Sequence, residues 1–276
     1  MYPDSTPLCA SAPSHDGAPP AFWMPPYGEP LWAEVPAGEF WIGSEKSPDA
    51  ERFRHKVHLE RYQIAQIPIT NAQYRLFVAA TGVMAPVHWD GDEIPPGLER
   101  HPVVTVTWHD ALAYCRWLSA MTGKLITLPS EAEWEVAACG GAVTGGTVRE
   151  YPWGAAWEAG RCNSEELGLR DTTPVDAFPK GASPYGCLDM AGNVWEWTRS
   201  LCRAYPYIPD DGREDLSASD SVHRVLRGGS YYGNANAARC AYHYWRKPYL
   251  GFRDIGFRVC VALSCKNLSG GRGGYG

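Results

Sequence analysis

Residues 227–260 read RGGSYYGNANAARCAYHYWRKPYLGFRDIGFRVC, and the rest of the chain is organised to hold this stretch up. Its two ends, Arg227-Gly228-Gly229-Ser230 and Ile255-Gly256-Phe257-Arg258-Val259, read as framework. Between them, Tyr231 to Asp254 reads as contact surface. Seven of these 24 residues are Phe, Trp or Tyr, against 12% for the whole chain, and Asp254 is the one acid among them. Tyr and Trp give large contact area while freezing few torsions, and Arg and Asn supply directed hydrogen bonds. A core segment is the competing reading. The apolar positions hold neither a period of 2 nor one of 3.6 for long, and Arg246-Lys247-Pro248 interrupts them, so exposed surface is favoured.

The chain has 276 residues, 45% hydrophobic and 20% charged, enough for one large globular domain or two small ones. A net charge of −6 leaves no basic footprint for nucleic acid. No apolar run approaches the roughly 18 residues of a membrane span. No basic segment followed by an apolar one opens the chain, so no signal peptide is visible and a cytoplasmic location is the default. The nine cysteines include no CxxC spacing, which argues against a zinc ribbon or a dithiol redox pair and for reduced thiols acting as small hydrophobes. With 29 Gly, 23 Pro and helical periodicity confined to a few places, the composition indicates a loop-rich α+β fold.

Residues 1–30 are rich in Pro, Ala and Ser and read as an extended lead-in, with order beginning at Leu31. Trp32-Ala33-Glu34-Val35 and Glu39-Phe40-Trp41-Ile42-Gly43, joined by Pro36-Ala37-Gly38, read as a hairpin, and Lys56 to Ile64 as a strand. On that strand His55 and His58 point to opposite faces and are structural rather than metal-binding. Thr70 caps a helix with Tyr74, Phe77 and Val78 on its apolar face and Gly82 at its end. Thr107 and Asp110 form a capping box for a helix ending near Gly123. Ser130 and Glu133 form another, for a short helix stopped by Gly140-Gly141 with Trp134, Ala137 and Ala138 inward. A single domain is expected over 31–265, followed by a flexible tail over 266–276.

Seven ordered blocks resemble the formylglycine-generating enzyme (sulfatase-modifying factor) family. They are Val35-Pro36-Ala37-Gly38-Glu39-Phe40, Pro68-Ile69-Thr70-Asn71, His101-Pro102-Val103, Leu128-Pro129-Ser130-Glu131-Ala132-Glu133-Trp134, Tyr151-Pro152-Trp153-Gly154, Gly192-Asn193-Val194-Trp195-Glu196-Trp197, and Arg227-Gly228-Gly229-Ser230 with Gly256-Phe257-Arg258. The resemblance, from about Leu31 to Leu263, implies one elaborated C-type-lectin-like domain. Formylglycine-generating enzymes oxidise a substrate cysteine with copper held by two cysteines. Those positions fall on Gly233 and Ala238 here, so copper and oxidase chemistry are not expected. An oxidase with rearranged thiols, pairing Cys240 with another cysteine such as Cys260, is the alternative. The iron-dependent sulfoxide synthases draw histidines from an added N-terminal domain, whereas only His15 precedes the fold here.

The stretch also resembles the variable region of proteins diversified by retroelements, in which adenine-directed mutagenesis rewrites codons between framework positions. That resemblance implies a ligand-binding protein whose partner is an unnamed protein or other macromolecule. The candidate contact residues are Tyr231, Tyr232, Gly233, Asn234, Asn236, His243, Tyr244, Trp245, Arg246, Lys247, Leu250, Phe252, Arg253 and Asp254. Trp245 and Lys247 require codon changes beyond adenine replacement. The family also binds calcium structurally. One site maps onto the side chains of Asp189 and Glu196 with the carbonyls of Gly192 and Val194, and a second onto Asn163 and Ser164 with Asp171. The competing reading of Glu196 is an anchor for an indole.

Overall fold

The computed structural model describes residues 23–24, 27–45, 53–141 and 148–262. Among the described residues, twelve short strands and three helices are joined by long ordered loops, the loop-rich α+β architecture that the resemblance implies. The tail over 266–276 lies outside the described residues. Order at the other end precedes Leu31. Strands β1 (Trp23–Met24) and β2 (Glu29–Pro30) form a ribbon, and the Gly28 carbonyl accepts from Gln73 Nε2 at 2.8 Å.

The expected hairpin does not form. Strand β3 (Trp32–Val35) pairs with β6 (Tyr62–Ala65), and β4 (Gly38–Ile42) pairs with β5 (His55–Leu59). A two-residue hairpin turn needs positive φ, which Pro36 cannot adopt and Ala37 adopts only with strain. The single strand read over Lys56 to Ile64 is likewise two strands in different sheets, broken at the exposed pair Glu60-Arg61. His55 is held structurally: Nδ1 lies 2.9 Å from the Phe53 carbonyl, and Nε2 accepts from the Tyr207 amide at 2.7 Å.

The three helices stand where local signals put them. Each of α1 (Asn71–Thr81), α2 (Trp108–Thr122) and α3 (Glu131–Cys139) opens on a reciprocal capping box, from Thr70, Thr107 and Ser130 respectively. The main apolar core joins α1 and α2 to the sheets through Tyr74, Tyr114 and Phe257. The Tyr74 and Tyr114 rings stack at 5.8 Å, and Phe257 meets Tyr114 edge-on at 5.4 Å. Strand β12 (Cys260–Ala262) lies between β6 and β7 (Ile126–Thr127) in the sheet that also holds β3.

The second four-stranded sheet carries the 227–260 stretch. Its order is β10 (His243–Arg246), β9 (Arg224–Arg227), β8 (Trp195–Leu201), β11 (Ile255–Phe257), with β11 parallel to β8 and the other pairs antiparallel. The first framework end therefore begins on the last residue of β9, Arg227, and the second holds β11 followed directly by Arg258, both arginines being fully buried. Arg227 pairs with Glu135 at 2.5 Å and donates to the carbonyls of Cys240 and Tyr242 at 3.0 and 3.1 Å. Arg258 grips Glu196 through Nε and Nη2 at 2.6 and 2.7 Å. Helix α3, expected to be inward only at Trp134, Ala137 and Ala138, is buried on every side. Its three glutamates tolerate this because Arg199 takes Glu133 and Arg227 lies against Glu131 and Glu135.

Glycine is required where the stretch crosses other chain. Gly229 has φ +76, and a Cβ on Gly256 would lie 2.5 Å from the Val103 carbonyl oxygen. Removing one member of a buried ion pair strands the other, so Glu196→Gln should cost about 3 kcal/mol or more in urea unfolding. Gly256→Ala should also destabilise, since the obstacle is backbone. A loss within about 0.5 kcal/mol for either would remove these contacts from the framework.

A candidate binding face and a candidate metal loop

The contact stretch leaves β9 and turns repeatedly before re-entering the sheet at β10. Main-chain bonds hold each turn: Gly233 N to Ser230 O at 2.8 Å, Ala237 N to Asn234 O at 2.9 Å, and Tyr242 N to Arg239 O at 3.0 Å. A short 3-10 turn over Glu165–Leu167 buttresses them from outside. There the Glu165 amide donates to Gly233 O at 3.0 Å, and Glu166 Oε1 accepts from the Ala235 amide at 2.7 Å. Burial raises the Glu166 carboxyl, but that amide bond together with those from Ser164 and its own main chain holds the group below its ordinary value. Sequence reading missed this buttress because its partner lies 69 residues away.

The described face is mixed in exposure. Tyr232 is 60% exposed, Phe252 40% and Trp245 37%, and Asn234, Asn236 and Arg253 are also exposed. Gly233, Tyr244, Arg246, Lys247, Leu250 and Asp254 are half-buried. Lys247 is turned to the Ser221 carbonyl, and Asn234 Oδ1 accepts from the Asn236 and Ala237 amides, so it shapes the turn as well as facing outward.

Two candidate contact residues are not at the surface. Tyr231 is 3% exposed, its hydroxyl donating to the Arg253 carbonyl at 3.2 Å. His243 is also 3% exposed, with Nδ1 2.6 Å from Glu131 Oε1. Strand alternation explains His243. Residues 242, 244 and 246 share the face of β10 that lines the cleft described next, which turns His243 toward α3. Composition carries no such facing information.

Tyr242, Tyr244 and Arg246 line a cleft of about 270 Å³ with Trp195, Tyr232, Phe252 and Asp254. The Trp195 indole forms its floor, 5.5 Å from the Tyr244 ring and 6.0 Å from Tyr242. The Arg246 guanidinium lies over Tyr244 at 4.3 Å and near Phe252 at 5.4 Å. Asp254 Oδ2 accepts from the Ser230 hydroxyl at 3.1 Å, and burial raises its carboxyl above the ordinary value. Trp195 is not among the expected contact residues, because it lies outside the Tyr231–Asp254 stretch and reaches the cleft from β8.

The residues of the first calcium set do not fit a cation as a set. Both Glu196 oxygens are taken, by Arg258 and by the Trp134 indole at 2.7 Å, and the guanidinium already supplies the charge an ion would bring. Glu196 does anchor an indole, that of α3 rather than a sequence neighbour. Asp189 accepts from Asn193 Nδ2 at 2.8 Å, and burial, with Glu196 adding to it, pushes its carboxyl up to about 7. In the second set Asn163 turns its amide nitrogen, a donor, to the Asp171 carbonyl at 2.8 Å, while its Oδ1 is buried without a partner and Ser164 precedes the 3-10 turn without a side-chain cap bond. Among the described residues no three His, Cys, Asp or Glu side chains are grouped to hold a metal.

All seven described cysteines are free thiols, six of them buried. Burial raises both the Cys240 and the Cys260 thiol, with Cys139 the next contribution at the first and Glu133 at the second.

Residues 29–263 match the sulfatase-modifying factor enzyme 1-like domain. The chain belongs to that family. It is 32% identical to the formylglycine-generating enzyme of Streptomyces coelicolor, over 81% of this chain and 87% of that one. It is also 32% identical to serine/threonine-protein kinase pkn1 of Chlamydia caviae, over 85% of this chain but 39% of that protein, so it spans about two fifths of that relative's length. Among solved structures, variable protein 1 of Treponema denticola superposes with a TM-score of 0.69 at 24% identity, covering 88% of this chain and 99% of that one. This last likeness establishes the fold alone.

Two outcomes test the site's electrostatics. Calcium or a chelator should leave the melting temperature unchanged, and a rise of several degrees with calcium would show that Glu196 can exchange Arg258 for an ion. Burial raises the Glu131 carboxyl, but Arg227 and His243 outweigh it and hold it at about 2, against an ordinary 4.5. A depressed folded value gives stability that is complete above pH 4.5 and lost as pH falls toward 2. Glu131→Gln should therefore remove part of the acid-induced fall in melting temperature over that window. An unchanged acid profile would refute the assignment.

Proposed function

We propose that this chain is a ligand-binding protein that uses the face from Tyr231 to Asp254 as a changeable recognition surface on a C-type-lectin-like scaffold, without oxidase chemistry. One observation carries the reading. The main chain of the stretch is held by buried arginines and by turn hydrogen bonds, while Tyr232, Asn236, Trp245, Phe252 and Arg253 point outward. Side chains so placed can change without disturbing what holds the backbone. The family's copper positions fall on Gly233 and the buried Ala238, which carry no thiol. The alternative oxidase would need two converging thiolates, and burial works against ionising Cys240 and Cys260.

The deciding experiment is to sequence the DNA beside the gene. A near-copy of the codons for residues 227–260, differing at adenines and accompanied by a reverse transcriptase, is the expected result. Its absence would end the diversification reading and leave a static binding domain. On the protein, Tyr232→Ala and Trp245→Ala should each change stability by less than about 0.5 kcal/mol. Tyr244→Ala should cost more, because its ring packs on Trp195. Large losses at Tyr232 and Trp245 would place them in the core and refute a free surface.

A further inference from the structure

Resting on the ligand-binding reading, we propose that the aromatic cleft above Trp195 seats an organic cation, a protonated or N-methylated amine carried by the partner, between its ring faces and the Asp254 carboxylate. Three observations converge on that charge class. First, the rings already hold a cation. The Arg246 guanidinium lies within 5.4 Å of the Tyr244 and Phe252 ring centres, the range in which a ring's negative face attracts positive charge. Second, the cleft holds one carboxylate, that of Asp254. Its hydrogen-bond partner is the neutral Ser230 hydroxyl, and Arg246 favours its charged form through space only, without an ion pair among the described residues. A carboxylate drawn partly out of water gains most from a counter-charge that arrives with the ligand. Third, the floor is an indole flanked by two tyrosine rings, and tryptophan gives the strongest cation–π face.

Arg246 is then the resident competitor. It occupies two of the ring faces that the incoming cation would use, and it repels that cation through space. The two charged residues of the cleft therefore act with opposite sign, which a purely structural role for either would not produce. An anionic ligand would reverse both signs, since it would use Arg246 and be repelled by Asp254.

The test uses the full chain and follows tryptophan fluorescence or heat as choline is added. Its neutral isostere 3,3-dimethylbutan-1-ol and sodium acetate are titrated in parallel. Choline should bind about tenfold more tightly than the neutral isostere if the charge contributes as cation–π contacts do. Asp254→Asn, which keeps an acceptor for Ser230, should weaken choline by a similar factor, whereas Arg246→Ala should tighten it several-fold. Melting curves confirm that both variants fold. Equal binding of choline and the isostere, weaker choline binding in Arg246→Ala, or acetate binding that Arg246→Ala abolishes would each overturn the assignment. Failure here with a template copy found beside the gene would leave the changeable surface standing with another ligand chemistry. The converse pair of results would leave the amine seat on a static domain.

Discussion

Everything above the sheets depends on buried carboxylates meeting buried guanidiniums. Glu131, Glu133, Glu135 and Glu196 lie in the core, and so do Arg199, Arg227 and Arg258. Desolvating such ions costs several kcal/mol each, which their attraction and hydrogen bonds repay only when the geometry is met. An apolar core of the same shape would be about as stable. What the ions add here is position. Arg227 and Arg258 close the two ends of one stretch, and each also donates to main-chain carbonyls, from Cys240 and Tyr242 in one case and Ala65 and Leu188 in the other. A guanidinium that has to satisfy a carboxylate and two carbonyls at once admits few alternative backbone paths.

Position at the ends frees the middle. The turns between Ser230 and Tyr242 bond mainly to their own main chain and to the Glu165–Leu167 buttress. Their outward side chains have few contacts to lose, so their substitution and the ion pairs beneath are energetically separable. The separation is incomplete at Tyr231, His243 and Asn234. Tyr231 and His243 reach inward, and Asn234 shapes its own turn. Changes at those three should alter the surface's shape along with its chemistry.

The sequence revealed what is local and missed what is distant. All three helices were legible because a capping box and its glycine stop lie within one segment. The two framework ends were legible from family blocks, and Gly229 and Gly256 have physical reasons to be glycine. Strand partners were not legible. The segment after Val35 looks like the return of a hairpin until the φ values of Pro36 and Ala37 are considered, and the real partners lie 27–33 residues on for β3 and 13–21 for β4. Which groups Glu196 meets was hidden for the same reason: its partners, Trp134 and Arg258, each lie 62 residues away. Facing was equally hidden within β10, where His243 and Tyr244 are neighbours and only one lines the cleft.

Arginine illustrates how environment decides what one residue type does. Arg227 and Arg258 are enclosed, matched by carboxylates and directed at carbonyls, so they act as fixed geometry. Arg246 carries the same group but faces aromatic rings at a half-open cleft, with no carboxylate in ion-pair contact among the described residues. The ring faces hold this guanidinium by about 0.5–2 kcal/mol, and the Asp254 charge adds to that through space without an ion pair, whereas breaking a buried pair costs about 3–5 kcal/mol. It can therefore be displaced by a ligand at a cost that ligand binding can supply. The scaffold arginines cannot be displaced on those terms, and this difference divides the stretch into a part that holds and a part that exchanges.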